Sequence, residues 1–303
     1  MLPTSVTVRV PATSANLGPG FDCLGLALDL WGTITLRRTD GSPPQGGAPS
    51  ASSGQALERM VLAASYRVYE RLGRTAPDLA VRYDGAIPIA RGLGASAVAR
   101  VGGLVAANVL ESGHLDPEEL LVMAADLEGH ADNAAPALFG GLQAAVRDGD
   151  RIFHLGLPLP ASLTAVLFIP ELHMPTGKSR QLLPRTLSRA DAVHNIGRAA
   201  LLVAALPQGR FDLLGTATQD RLHQPARSRL FPAMYAIFEA ARAAGAHCAY
   251  LSGGGSTICA LASGNEQAIA TAMAEAARRR EVAGETMITV PSERGAKIVE
   301  VSS

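Results

Sequence analysis

A short glycine-rich stretch constrains this chain more than any other part of it. It reads Pro88-Ile89-Ala90-Arg91-Gly92-Leu93-Gly94-Ala95-Ser96-Ala97. The alternating run at 79–83 before it predicts a strand, and the Ala/Val/Leu-rich segment at 98–110 after it predicts a helix. A glycine loop that opens a helix leaves backbone N–H groups unpaired at the positive end of the helix dipole, which suits an anion such as phosphate. The alternative, a tight turn in which only glycine fits, stays open on the loop alone.

Composition narrows the class of protein to which this chain belongs. The 303 residues are 48% hydrophobic and 18% charged, which favours about two domains with sizeable cores. Formal net charge is zero, whereas a nucleic-acid-binding surface normally shows a basic excess. We find no apolar run long enough to span a bilayer and no signal-peptide pattern, so we expect a cytoplasmic protein without a membrane or nucleic-acid partner.

Three cysteines, Cys23, Cys248 and Cys259, support the same location. Their number is odd and no pair has metal-ligand spacing. We therefore expect buried free thiols in a reducing compartment and no disulfide framework.

Near the N-terminus, a predicted strand at 6–10 ends at Pro11 and is followed by a loop at 12–22. The loop contains two glycines, a proline and two compact polar side chains, Asn16 and Asp22. These two side chains either serve a site or bond to their own turns, as Asn and Asp often do. The local sequence leaves both interpretations open.

A second polar cluster follows a well-marked helix. Asp116 is a good N-cap, Pro117 suits the first turn, and the helix is predicted to reach about residue 127. Polar and titratable side chains then crowd a short span between apolar segments: Glu128, His130, Asp132 and Asn133. A carboxylate at a helix end can bind Mg²⁺ together with phosphate oxygens. The alternative is a solvated loop.

The rest of the chain predicts its domain organisation. Residues 40–54 are rich in Gly, Ser and Pro and predict a surface loop or a hairpin tip, and residues 55–72 predict a helix. A Pro-Leu-Pro sequence at 158–160 is the best boundary between domains at 1–158 and 159–303. The second half mixes strands and helices in an antiparallel pattern, which is typical of an α+β fold. Residues 177–179 read Gly-Lys-Ser but lack the upstream glycine of a Walker P-loop.

Four stretches together resemble the homoserine kinases, a family of the GHMP small-molecule kinase superfamily. They lie at 11–25, 88–97, 128–141 and 251–261, and their order and spacing match over nearly the whole chain. The Pro-x-x-x-Gly-Leu-Gly-x-Ser-Ala loop is shared across the superfamily. The stretches Ser-Ala-Asn-Leu-Gly-Pro-Gly-Phe-Asp and Gly-His-Ala-Asp-Asn resemble homoserine kinases specifically.

The resemblance implies a two-domain fold and a reaction. The first domain would be similar to domain 2 of ribosomal protein S5, and the second would be ferredoxin-like, with the active site between them. The reaction would be transfer of the γ-phosphate of ATP, with Mg²⁺, to the hydroxyl of L-homoserine in threonine biosynthesis.

The resemblance also implies roles for individual residues. The ATP phosphates would bind the loop at 88–97, and Mg²⁺ would bind Ser96 and Glu128. Arg180 and Arg227 would hold the substrate carboxylate, a task that suits bidentate arginine better than lysine. Thr176 would lie near the transferred phosphate. The amine and hydroxyl end of the substrate would be lined by Asn16, Asp22, His130 and Asn133.

Three departures from the family pattern accompany these roles. Ala95 stands where most relatives have serine, Ser256 stands where proline is usual, and residues 56–61 lack the Asn of an Asn-Leu pair associated with adenine. These motifs also contain no obvious lysine partner for Asp22. We therefore expect Asp22 to orient the acceptor hydroxyl, because phosphoryl transfer depends mainly on positioning and charge stabilisation.

Other functions compete with this interpretation. The acceptor could be another alcohol, such as threonine or a mevalonate-type substrate, although the paired Arg180 and Arg227 favour a carboxylated amino acid. The chain could instead be an inactive nucleotide-binding regulator, or an RNA-binding module on an S5-like fold, which zero net charge argues against. Oligomeric state stays open, with a homodimer among the alternatives.

Overall fold

The computed structural model describes residues 2–39 and 52–303, with the side chains of residues 52, 53 and 176 outside the description. Its strands are β1 (Ser5–Ala15), β2 (Leu24–Thr39), β3 (Asp78–Gly85), β4 (Leu142–Asp148), β5 (Arg151–Leu157), β6 (Thr164–Pro170), β7 (Cys248–Leu251), β8 (Ile258–Ala262), β9 (Gly284–Thr289) and β10 (Lys297–Ser302).

The helices are α1 (Ser52–Leu72), α2 (Ala95–Leu110), α3 (Pro117–Glu128), α4 (Ala134–Phe139), α5 (Thr176–Gln181), α6 (Arg189–Ala205), α7 (Leu214–Ala217), α8 (Gln224–Arg227), α9 (Met234–Ala243) and α10 (Glu266–Arg278), and a 3₁₀ turn at Phe211–Leu213 precedes α7. The surface loop predicted at 40–54 falls mainly on residues 40–51, which lie outside the described residues, and its end lies in α1. The helix predicted at 55–72 is confirmed as α1.

Two sheets organise the chain. The larger has the order β10-β1-β2-β4-β5, with β3 also paired to β2, and the smaller has the order β7-β8-β6-β9. All their pairings are antiparallel. The order of the smaller sheet, with helices between β6 and β7 and between β8 and β9, is ferredoxin-like. The α+β prediction is therefore confirmed.

The boundary proposed after residue 158 falls between β5 and β6 and stays a prediction. The last strand, β10, returns from the C-terminal half of the chain to pair with β1. The two halves of the sequence therefore share the larger sheet.

The prediction that the first strand ends at Pro11 is wrong, because β1 continues to Ala15. Its pairing with β2 shifts register between Pro11 and Ala12, so that Trp31 opposes Pro11 but Leu28 opposes Ala12. Proline has no N–H to donate to the ladder, and a bulge beside it lets pairing resume. The longer strand delivers Asn16 directly to the edge of the cavity described below.

Helix α2 begins at Ala95, three residues before the predicted segment, and packs tightly because two of its positions are glycine. A Cβ on Gly102 would lie 2.6 Å from Ile34 Cδ1 of β2, and one on Gly103 would lie 2.4 Å from the carbonyl oxygen of Val61 in α1. Only glycine permits this approach. The close packing on β2 and α1 fixes the position of the N-terminus of α2.

One hydrophobic core spans both sheets. It includes Val8 and Leu26 of the larger sheet together with Tyr250 and Leu261 of the smaller one, all of them fully buried. A second core lies between the smaller sheet and helices α9 and α10. Among the described helices, none has the length and apolar character needed to cross a membrane.

Candidate active site

A cavity of about 240 Å³ lies where the glycine loop meets the two sheets. Its walls come from the loop before α2, from the turn after β1, from the segment after α3, and from α5, α8 and the turn between β7 and β8. These segments are distant in sequence. The fold therefore brings together the four stretches that the sequence singled out.

The glycine loop adopts a backbone that its sequence requires. Gly92 and Gly94 have φ values of +79° and +67°. A Cβ on Gly92 would lie 2.1 Å from the Ser252 carbonyl oxygen, and one on Gly94 would lie 1.9 Å from Thr13 Oγ1. Gly94 caps α2 without any side-chain hydrogen bond to the first turn. The loop is thus a tight turn, and it also leaves helix N–H groups available to an anion.

The turn between β7 and β8 holds this loop from the other sheet. Ser252 Oγ donates to the Gly92 carbonyl oxygen at 2.6 Å and lies 2.8 Å from Ser14 Oγ. The Gly253 N–H donates to the Ala15 carbonyl oxygen at 3.0 Å. The position of the loop therefore depends on both sheets.

Ser96 and Glu128 meet at the N-terminal end of α2. Ser96 Oγ donates to Glu128 Oε2 at 3.0 Å, and Arg100 Nη1 lies 2.7 Å from Glu128 Oε1. Glu128 is the last residue of α3, whose predicted N-cap, Asp116, forms a capping box with Glu119. A hydroxyl and a carboxylate oxygen are hard donors that fit Mg²⁺, an ion that takes few protein ligands and keeps sites for phosphate and water.

Asp22 and Arg180 form a bidentate ion pair. Arg180 Nη1 donates to Asp22 Oδ2 at 2.9 Å and Nη2 donates to Oδ1 at 2.5 Å. Burial alone would lower the pKa of Arg180, but the hydrogen bonds and charge of Asp22 outweigh burial and raise it. The pair places a guanidinium and a carboxylate, both partly exposed, at the mouth of the cavity.

Arg227 lines the cavity from the second half of the chain and is almost wholly buried, with 1% of its surface exposed. Its Nη1 donates to the Gly253 carbonyl oxygen at 2.9 Å, and its buried Nε has no hydrogen-bond partner. Burial, followed by the charge of Arg180, lowers the pKa of Arg227 to about 10. The group stays cationic at neutral pH, with donors to spare for an anion.

Asn16 and Asn133 lie at the cavity but are engaged by the protein. Asn16 Nδ2 donates to the Gly253 carbonyl oxygen at 2.9 Å, and its Oδ1 accepts from the Asp22 N–H at 3.0 Å. Asn133 Oδ1 accepts from Thr13 Oγ1 at 2.7 Å. Both amides thus hold the wall of the cavity in place.

His130 points at Asp132, a site residue that the sequence analysis did not assign. Asp132 Oδ1 accepts from His130 Nδ1 and, at 3.2 Å, from Asn133 Nδ2. Burial alone would lower the pKa of His130, but the hydrogen bond and charge of Asp132 outweigh it, and the pKa is raised. Ligand atoms of Asp22, His130 and Asp132 lie within 4.8 Å of one another. The signal for Asp132 was its place in the polar run.

The remaining assigned residues divide into three groups. Most of the glycine loop lines the cavity, but Ala97 is buried in α2 and Arg91 points away, towards the Pro170 carbonyl oxygen and His173. Thr176 begins α5, and its side chain lies outside the described part of the structure.

Leu57 and Met60 of α1 add an apolar wall that the sequence analysis did not assign. Of the three cysteines, which are free, two are buried and Cys23 is half-buried.

Comparison with known proteins gives one consistent result. Residues 59–141 match the family described as GHMP kinases N terminal domain, and residues 202–279 match GHMP kinases C terminal. A homoserine kinase of Moorella thermoacetica is 41% identical over 96% of this chain and 99% of its own. A homoserine kinase of Symbiobacterium thermophilum is 49% identical over 75% of this chain and 74% of its own. The crystal structure of homoserine kinase from Cytophaga hutchinsonii is 31% identical, with a TM-score of 0.85 over 97% of each chain.

Proposed function

The chain belongs to the homoserine kinase family of the GHMP kinases, and from that premise we propose how its cavity works. It is an ATP-dependent kinase that transfers the γ-phosphate to the hydroxyl of L-homoserine, giving O-phospho-L-homoserine and ADP in threonine biosynthesis. The roles of its residues follow from the chemistry of the two substrates. Its ATP substrate and its free thiols favour the cytoplasm.

The observation that carries the choice of acceptor is Arg227. A buried guanidinium with unsatisfied donors, at the wall of a cavity that also contains the glycine loop, suits a small carboxylate. An alcohol without a carboxylate would leave this charge buried and unpaired, which is unfavourable. Arg227 therefore favours a carboxylated alcohol over one that lacks a carboxylate.

The phosphate chain of ATP occupies the glycine loop and the N-terminus of α2. Backbone N–H groups at this end have no capping side chain and lie at the positive end of the helix dipole. Ser96 and Glu128 would hold Mg²⁺ beside them, and the ion when bound supplies charge stabilisation to the transferring phosphate. Leu57 and Met60 give the nucleotide an apolar wall.

The ammonium and hydroxyl groups of the acceptor lie at the acidic side of the cavity. Asp132 is a buried carboxylate, 2% exposed, and Asp22 is the second carboxylate at this wall. Asp132 suits the ammonium, and Asp22 suits the hydroxyl. The carboxylate of the substrate competes with Asp22 for Arg180, so binding exchanges the Asp22–Arg180 pair for a pair between Arg180 and the substrate and frees Asp22 for the hydroxyl.

An assay of ADP release with matched analogues tests this function. Purified protein with Mg-ATP is given L-homoserine, 4-hydroxybutanoate, which lacks the amine, and 3-aminopropan-1-ol, which lacks the carboxylate. L-Threonine and mevalonate represent other acceptors. We expect turnover with L-homoserine and a kcat/KM lower by at least about 100-fold for each truncated analogue, because each loses a charge-assisted contact with a buried side chain, Arg227 or Asp132.

Two results would contradict the proposal. Equal turnover of 3-aminopropan-1-ol and L-homoserine would show that the substrate carboxylate is not bound by Arg227 and Arg180. Binding of ATP without turnover of any alcohol would instead favour a nucleotide-binding regulator.

A further inference from the structure

A histidine outside the assigned machinery sits between two parts of the cavity wall. His223 is fully buried immediately before α8, one helical turn before Arg227. Its Nε2 lies 2.7 Å from the Gly18 carbonyl oxygen, and its Nδ1 lies 2.9 Å from Arg227 Nη1. The ring therefore links the turn after β1 to the guanidinium.

The partners of His223 fix its protonation. A guanidinium can only donate, so Nδ1 must accept, and the ring proton must be on Nε2, where it donates to Gly18. Burial is the main reason that the pKa of His223 is lowered, to about 4. Asp220 Oδ2 accepts the backbone N–H groups of His223 and Gln224, at 2.9 and 2.7 Å, which holds the start of α8 in place.

This arrangement uses up one nitrogen of Arg227. Nη1 carries two hydrogens, and it donates to both the Gly253 carbonyl oxygen and His223 Nδ1, each at 2.9 Å. Nε is buried without a partner, and Nη2 makes no hydrogen bond to any described residue. Nε and Nη2 share one edge of the guanidinium plane, and a bidentate carboxylate needs two parallel N–H groups on one edge. Only the Nε–Nη2 edge meets that need.

We propose that His223 is a positioning residue that occupies Nη1 of Arg227 and thereby presents the Nε–Nη2 edge to the carboxylate of the substrate. Phe21 supports the geometry, because its ring lies 5.5 Å from the Arg227 guanidinium carbon and 5.4 Å from the His223 ring. The inference rests on the proposed function, since it assigns the edge by which the acceptor carboxylate binds.

Two substitutions separate the two contacts of the ring. Asparagine at 223 places a carbonyl oxygen near the position of Nδ1 and keeps an acceptor for Arg227. Glutamine reaches the position of Nε2 and keeps the donor to Gly18, but leaves Nη1 without its acceptor. We expect His223→Gln to raise the KM for L-homoserine at least about tenfold, since a hydrogen bond to a charged group is lost. His223→Asn should raise it no more than about threefold.

Controls distinguish positioning from a merely structural role. The KM for ATP should stay within about twofold of wild type in both variants, and the exposed His114→Gln should change neither KM. In an Arg227→Lys background, His223→Gln should raise the KM for L-homoserine less than about twofold further, because residues acting as one unit are non-additive.

The inference is overturned if His223→Asn raises the KM for L-homoserine as much as His223→Gln, or if the two substitutions at 223 and 227 are additive. Failure of the proposed function has a different signature. In that case wild-type protein would not phosphorylate L-homoserine, or Arg227→Lys would leave the KM for L-homoserine unchanged.

Discussion

At the scale of single residues, the site pairs opposite charges of the protein with each other. Asp22 is the clearest case, because both of its carboxylate oxygens accept from Arg180. Its proposed task, to orient the hydroxyl, differs from that of a base. A general base removes the proton of the hydroxyl and contributes about 100- to 10,000-fold, whereas an orienting group only positions the hydroxyl.

Replacement of Asp22 by Asn tests that distinction. Asn retains an oxygen that accepts from Arg180 but loses the charge, so we expect kcat to fall by about 10- to 100-fold without being abolished. Steady-state kinetics with L-homoserine and ATP measure the change, and the exposed Asp84→Asn serves as the matched control. Unchanged affinity for L-homoserine with activity lost entirely would identify Asp22 as a true base.

The residues of the site could be predicted in part. Asn16 and Glu128 were assigned through short motifs and Arg227 through the resemblance to the homoserine kinases, and all three line the cavity. Their partners could not be predicted, because the Asp22–Arg180 contact joins positions 158 residues apart in the chain. His223 was missed because its role depends on two contacts, with Gly18 and Arg227, that only the tertiary structure creates.

At the scale of elements, the loop before α2 is the most demanding part of the backbone. Gly92 and Gly113 both have positive φ, at +79° and +70°, but differ in surroundings. A Cβ on Gly92 would meet the Ser252 carbonyl oxygen, whereas one on Gly113 would meet nothing within 4 Å. Comparing substitutions at these two glycines therefore separates the effect of backbone strain from the effect of the contact between the loop and the smaller sheet.

We expect Gly113→Ala to lower the free energy of unfolding by about 1 kcal/mol, from backbone strain alone. Gly92→Ala should lower it by about 3 kcal/mol or more, since the loop must also move away from Ser252. It should also raise the KM for ATP at least about tenfold, while Gly113→Ala leaves that KM unchanged. Denaturant titration and steady-state kinetics provide the two measurements. Equal effects of the two substitutions would show that the contact with Ser252 is unimportant.

The other end of α2 has an ion-pair cluster in which the carboxylate, Glu111, is buried and the two arginines are partly exposed. Glu111 accepts from Arg38 Nη2 at 2.6 Å and from Arg74 Nη1 at 2.5 Å, and Arg38 also donates to the Leu110 carbonyl oxygen. Burial alone would raise the pKa of Glu111, but the hydrogen bonds and charges of the arginines outweigh burial and lower it. Its stabilising effect is therefore fully present above the ordinary pKa of 4.5 and is lost as pH falls through the lowered value.

Glu111→Gln should accordingly lower the free energy of unfolding by about 1–3 kcal/mol at pH 7. The difference from wild type should shrink as pH falls below 4.5, when the wild-type carboxylate takes up a proton. Denaturant titrations between pH 7 and pH 3 follow this difference. The exposed Glu70→Gln, which removes a surface pair with Arg67, should change stability by less than about 1 kcal/mol at any pH. A pH-independent loss in Glu111→Gln would contradict the ionic origin.

Most helices and strands could be predicted from periodicity and capping signals, and the exceptions have physical causes. The end of β1 was misplaced because a proline inside a strand is tolerated beside a register shift, which no local pattern reveals. The short helices α4, α5 and α8 were missed because they span at most six residues, too few for a helical period to show.

At the scale of the whole molecule, one buried hydrophobic cluster joins the two sheets. Val8 and Leu26 of the larger sheet belong to the same buried cluster as Leu261 of the smaller one. The last strand, β10, returns from the C-terminal half to pair with β1. Separation of the sheets would expose the shared core and also break the contacts of the glycine loop with Ser252. We therefore expect the halves to unfold together rather than one after the other.

A pair of single-tryptophan proteins tests this expectation. Trp31, the only tryptophan of the chain, reports on the larger sheet, and Trp31→Phe combined with Tyr235→Trp moves the probe to α9, beside the smaller sheet. Tyr235 is 40% exposed, so its replacement should not disturb the core. Far-UV circular dichroism is recorded on both proteins as a probe of overall unfolding. Each fluorescence midpoint is then compared with the dichroism midpoint of the same protein, so that a change in stability caused by the substitutions does not affect the comparison. In each protein, the fluorescence midpoint in denaturant should coincide with the dichroism midpoint. Saturating ATP with L-homoserine should shift the two midpoints by the same amount, because the proposed ligand site contains residues from both halves of the chain. Two separate midpoints, with only the first-sheet transition responding to ATP, would show instead that the domains fold independently and that the cavity assembles only when both are folded.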